Sequence, residues 1–149
     1  MTEPTPVAAR TPWHLWVVGA LSLLWNAVGA MDFTMTQMKS EAYLKALTPE
    51  QQAYLAGFPL WAVLAWGVGT WGSLLGSLVL LLRRKFATVL FVASALGVVV
   101  THLHTFVLSD GMKVMKGGAG AIIFGAVIFV IVILLILYSR AMSRRGVLR

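Results

Sequence analysis

Few side chains in this sequence could do chemistry, and most of them fall in two short stretches. The carboxylate Asp32 follows Asn26 by six residues and precedes Thr36 by four. Farther along, Thr101, His102, His104 and Thr105 occur within five residues. A carboxylate and an imidazole brought together can form an ion pair, hold a proton or pass one. Asn26 and the three threonines would supply hydrogen bonds around such a pair. No Ser/His/Asp set, paired carboxylates, phosphate loop or nucleotide fingerprint accompanies them, so the sequence predicts no enzyme and no cofactor. The chain has no cysteine, which removes disulfides, thiolate metal sites and cysteine nucleophiles.

The elements that must position these residues follow from composition. Of 149 residues, 59% are hydrophobic and 11% charged, and the mean hydropathy is +0.85. A water-soluble domain of this size cannot hide so much apolar surface. Four apolar runs, at about residues 13–36, 58–82, 86–108 and 119–138, each have the ~20 residues that cross a bilayer as a helix. An isolated strand in lipid leaves its backbone unpaired, so the β-branched last run is read as a helix too. The prediction is an all-α polytopic membrane protein: one four-transmembrane-helix bundle over residues 1–149, with lipid as its first partner. The polar N-terminus, with Pro4, Pro6 and only Arg10 as a basic residue, lacks a secretory h-region, so the first run is expected to stay as an anchor.

Only Arg83, Arg84 and Lys85 separate the second and third runs, which makes those helices a tight antiparallel hairpin. Asp110-Gly111 and Gly117-Gly118 bracket the last loop with turn chemistry. In the longest loop, Thr48 can cap a short helix begun by Pro49, with Gln51 as the reciprocal partner. That helix should reach about Ala56 and lie on the periplasmic membrane surface, with Tyr54, Leu55 and Phe58 toward lipid. Four crossings put eight basic residues on one side: Arg10, Arg83, Arg84, Lys85, Arg140, Arg144, Arg145 and Arg149. Four stand on the other: Lys39, Lys45, Lys113 and Lys116. The positive-inside rule then places both termini in the cytoplasm. The net charge of +7 is clustered at helix ends rather than in a stripe, which argues against nucleic acid.

Helical phase assigns the faces. On the first helix, His14, Ser22, Trp25, Asn26, Gly29, Asp32, Phe33 and Thr36 share an arc of about 120°, opposite Trp16, Ala20, Leu23, Leu24, Ala27 and Met31. The polar arc should face the bundle, because a carboxylate or amide in hydrocarbon is expensive. On the second helix Gly69, Gly72, Ser73 and Gly76 belong to two small-residue ladders that let helices approach, within the chain rather than between copies. The third helix carries Ser94, Gly97, Thr101, His104 and Thr105 on one face. His102 lies about 160° away from it, so His102 and His104 cannot share a metal on a regular helix. The fourth helix reads as a wall, with Gly118, Ala121 and Gly125 allowing one close contact. Asp32 and His104 lie at similar depths, about 9 Å and 7.5 Å below the outer ends of their helices. Asn26, Asp32, Thr36, Thr101, His104 and Thr105 are therefore expected to line a small polar cavity. In it Asp32 and His104 would pair, either to pin the first helix to the third or as a proton-linked site.

The stretches LWNAVGAMDFTMTQ (24–37), EAYLKALTPEQQAYLAGFP (41–59) and WGVGTWGSLLGSLVLLLRRK (66–85) resemble a group of small four-helix bacterial inner-membrane proteins, many of which carry the label "sugar transporter". The resemblance implies a bacterial inner-membrane setting and transport as one function class. The residues favour a structural or accessory membrane protein that acts by binding, alone, as a homo-oligomer or in a larger membrane complex. The alternatives are a small, proton-coupled transporter of a solute such as a sugar, and a redox-associated protein of the DoxX-like type.

Overall fold

The computed structural model describes residues 10–115 and 118–149. The expected contributions of Lys116 and Gly117 to the last loop, and the first nine residues, lie outside them. The described chain is all-α: α1 (Trp13–Gln37), α2 (Glu41–Leu44), α3 (Pro49–Ala56), α4 (Leu60–Leu81), α5 (Phe86–Leu103), a π-helical turn (His104–Leu108) continuing α5, α6 (Gly111–Val114) and α7 (Gly118–Arg144). Four helices, α1, α4, α5 with its π turn, and α7, are long and apolar enough to cross a membrane. Their outward faces carry many large apolar side chains, such as Leu24, Val28, Leu64, Leu96 and Ile123, which stay exposed because lipid is their solvent.

Local chemistry explains the boundaries. Pro59 precedes α4 in an extended conformation, so the second span begins at Leu60, two residues later than the apolar pattern suggests. Arg83 takes φ +56°, the left-handed residue that lets the four residues 82–85 reverse the chain between α4 and α5. α7 runs six residues past the expected 138, because Ser139 and Met142 turn inward and extend its buried face. The capping box on α3 is present: Gln51 N–H donates to Thr48 Oγ1 (3.3 Å) and Thr48 N–H to Gln51 Oε1 (3.0 Å). Tyr54 and Phe58 do not turn to lipid as expected. The Tyr54 hydroxyl is 2.7 Å from Ser109 Oγ, and both rings pack beside His104. A phenol with a hydroxyl partner inside the protein gains more there than in hydrocarbon.

α4 and α5 form the closest pair; α1 packs on α4 and α7 on α5. At the Arg83–Lys85 end the four helices close over an apolar core that includes Leu15, Leu80, Ala87, Phe91, Leu135 and Leu148. Two polar contacts join α7 to its neighbours there: His14 Nδ1 to the Tyr138 hydroxyl (2.6 Å) and Thr88 Oγ1 to Ser139 Oγ (2.9 Å). The segment after α7 folds back beneath the bundle. Arg149 N–H donates to the Arg83 carbonyl (2.7 Å), Lys85 N–H donates to the Arg149 carbonyl (3.0 Å), and Val147 and Leu148 are buried. At the opposite end α1 and α7 have no extended seam.

Candidate functional site

The seam between α4 and α5 is built from the small residues. A Cβ added to Gly97 would lie 2.5 Å from the Ala65 carbonyl oxygen and 2.6 Å from Gly69 N, so only glycine allows this backbone approach. A Cβ on Gly72 would stand 3.3 Å from Ser94 Cβ, and one on Gly76 would strike the Phe91 ring at 2.8 Å. Gly69, Gly72, Ser73, Gly76 and Gly97 thus lie on one contact inside the chain. Buried hydroxyls cross the seam. Ser94 donates to the Gly69 carbonyl (2.6 Å), and its Oγ is 2.5 Å from Ser73 Oγ. Asn26 joins them from α1, its Nδ2 donating to Ser77 Oγ (2.9 Å) and to the Ser73 carbonyl (3.3 Å). The amide is buried, and its hydrogens are matched by acceptors, as an amide in this setting requires.

Between α1 and α7, with α4 and α5 as its floor, lies a cavity of about 620 Å³. From α1 it receives Trp25, Asn26 and Asp32; from α4, Trp66 and Ser73. α5 contributes Thr101 and His102, and α7 contributes Phe124, Ile128 and Ile131. Trp25 and Phe124 face each other across the gap with ring centroids 6.2 Å apart. The volume and the mix of apolar wall with a few polar groups match sites that hold small molecules. Asp32 is half-buried on this wall, and among the described residues it makes no ion pair and no side-chain hydrogen bond.

The six residues expected to share a site are divided. Asn26, Asp32 and Thr101 line the cavity. Thr36 is buried but turned back on its own helix, donating to the Asp32 carbonyl (2.8 Å). Thr105 lies beyond the cavity, where its backbone and methyl group abut Gly111. His104 does not reach Asp32, and the expected pair is absent. His104 is buried outside this cavity, with its ring centroid 4.6 Å from Phe58, 5.3 Å from Trp61 and 6.5 Å from Tyr54, and its Nδ1 has no hydrogen-bond partner among the described residues. The reason is the neighbour. His104 does follow Ser94 and Gly97 around the helix, but that face meets α4, not α1.

His102, which the sequence set apart, takes the place on the cavity wall. Its Nε2 lies 3.1 Å from the Gly125 carbonyl of α7. A carbonyl can only accept, so Nε2 carries the proton and Nδ1 of the neutral ring is an acceptor. A Cβ on Gly125 would meet that Nε2 at 2.8 Å, so glycine there lets the imidazole approach. The small-residue signal at Gly125 was legible; its imidazole partner was not. Among the described residues no group of three or more His, Asp or Glu side chains could hold a metal ion.

No family model, curated protein or solved structure matches this chain. The resemblance to small four-helix membrane proteins therefore stands on four spans alone.

Proposed function

We propose that this chain is a binding protein of the bacterial inner membrane, an accessory component rather than an enzyme, that holds a small apolar molecule between α1 and α7. The observation that carries this reading is the 620 Å³ cavity, walled by Trp25, Trp66, Phe124 and Ile128, with few polar groups in its lining. Its open flank lies between two lipid-facing helices, so a ligand dissolved in the bilayer can reach it without crossing water. The basic residues at the α4–α5 turn and the end of α7 support a cytoplasmic position for that end, because arginine and lysine accumulate there. The resemblance to bacterial inner-membrane proteins supports the compartment.

The test is to fill the cavity. A Cβ at Gly29 would meet only Thr70 Cγ2, at 3.8 Å, so Gly29→Leu adds bulk to the site at little cost elsewhere. Native mass spectrometry of the purified protein should detect a small molecule or lipid retained by the parent and lost from Gly29→Leu. Equal retention by both would place the bound molecule outside the cavity and overturn the reading. A second reading, proton-coupled movement of a small solute such as a sugar through the same cavity, rests on Asp32 standing in its wall. Uptake into proteoliposomes driven by a pH gradient, abolished by Asp32→Asn, would establish it.

A further inference from the structure

The polar groups of this cavity are unequally committed, and the inequality points to the class of ligand. The hydroxyl hydrogens of Thr70 and Thr101 are donated to carbonyls of their own helices, Trp66 (3.0 Å) and Gly97 (2.8 Å). Ser94 gives its hydrogen to the Gly69 carbonyl, so in the short Ser73–Ser94 contact Ser73 is the donor. Both amide hydrogens of Asn26 are engaged, and the Nε2 proton of His102 is held by Gly125. Apart from the indole N–H groups of Trp25 and Trp66, which make no hydrogen bond among the described residues, what remains is the opposite kind of group. Among the described residues the Asp32 carboxylate has no partner and the Asn26 side-chain carbonyl makes no hydrogen bond, and His102 Nδ1 is an acceptor when neutral. Asp32 is also the one ionisable carboxylate among the lining residues.

A cavity rich in acceptors, with one anionic group and indole walls from Trp25 and Trp66, is complementary to a hydrogen-bond donor bearing positive charge on an apolar body. Indole faces attract cations, and more so away from water. A carboxylate in hydrocarbon gains most from a counter-charge that arrives with its own apolar surround. A sugar, whose hydroxyl oxygens need donors as often as acceptors, finds the hydroxyl and amide hydrogens of this wall already taken and only the two indole N–H groups left to donate.

We propose that the ligand is a lipophilic monocation, with its charge at Asp32 and its apolar body between Trp25, Trp66 and Phe124. This rests on the cavity reading above and adds the charge. The probes are tetraphenylphosphonium and tetraphenylsilane, four phenyl groups on a charged and an uncharged centre, titrated against the protein in lipid nanodiscs and followed by tryptophan emission. The parent should bind the cation at least tenfold more tightly than the neutral probe. Asp32→Asn should lose at least tenfold for the cation and nothing for the neutral probe, while Asp32→Glu should keep most of the preference. Thermal melts of the variants establish that each is folded. Equal affinities of the parent for both probes, or an unchanged cation affinity in folded Asp32→Asn, would overturn the charge assignment and leave the cavity reading standing. Neutral binding that persists in Gly29→Leu would overturn the cavity reading itself, and the charge proposal with it.

Discussion

The α4–α5 seam and the α1–α7 gap are made of the same helical material and do opposite things. Along the seam, glycine and serine recur where the helices meet, backbones approach until a single Cβ would clash, and hydroxyls bond across the contact. Across the gap the lining residues are large, among them Trp25, Trp66, Phe124 and Ile128, and apart from the Trp25–Phe124 ring contact they leave space between the helices. In lipid no hydrophobic drive pulls helices together, so side-chain shape decides whether two helices touch. Small residues made a joint; bulky ones held two helices apart around a cavity.

The comparison breaks most readily at Gly97. Leucine there must push against the Ala65 carbonyl and Gly69 backbone, neither of which can yield as a side chain does. The expected cost is about 3 kcal/mol, the upper range for overpacking, read as a large drop in thermal stability in detergent. Gly29→Leu, facing the gap, should melt close to the parent. Similar melting of the two variants would erase the distinction between joint and gap.

The serine contacts sharpen it at a lower level. Ser94→Ala should cost about 1 kcal/mol, in the range measured for hydrogen bonds between membrane helices. Ser73→Ala added to it should cost less than the sum of the single changes, because the two hydroxyls are in contact. Strict additivity would mean that the seam is held by packing alone. His104→Phe should be neutral or slightly stabilising, since it removes an unpaired buried nitrogen from an aromatic surround. A marked loss from His104→Phe, measured by the same melts, would show that His104 has a partner essential to the fold.

The smallest effect belongs to Asp110 and Lys113, which are exposed and 2.7 Å apart. The Lys113 ammonium holds the Asp110 carboxyl below its ordinary range. Whatever the pair contributes is therefore present at neutral pH and fades as acid protonates the carboxylate. Exposure to water makes that contribution negligible, so Lys113→Ala should leave the melting temperature at pH 7 and at pH 4 unchanged relative to the parent.

Much of this was written in local pattern. The four spans, the Thr48–Gln51 cap and the inward turn of Ser22, Asn26 and Thr36 follow from apolar length, capping chemistry and helical phase. Helical phase also put His104 on the face of Ser94 and Gly97. It could not say which helix that face would meet, because depth and phase are properties of one helix and neighbours are properties of the set. The short turn through Arg83–Lys85 already tied α5 to α4, and that constraint outweighs any matching of depths between α5 and α1. The fold-back of residues 145–149 left no periodic signal, since two buried apolar residues after a basic run look like any short tail. The orientation inferred from charge has its own check. Cysteine at Met38 and at Arg144, both exposed, should label from opposite sides of the membrane. Ser143 is a poorer position because its Oγ is buried.

That fold-back has a mechanical consequence for α7. One end of the helix is tied to all three other spans: to α1 through Tyr138, to α5 through Ser139, and to the α4–α5 turn by the paired backbones of Arg83, Lys85 and Arg149. Toward the other end its polar link among the described residues is the contact from His102 to the Gly125 carbonyl. The helix is a beam clamped at one end. A swing of α7 about that clamp would be largest near Gly118, would widen the cavity, and would have to release the His102 imidazole.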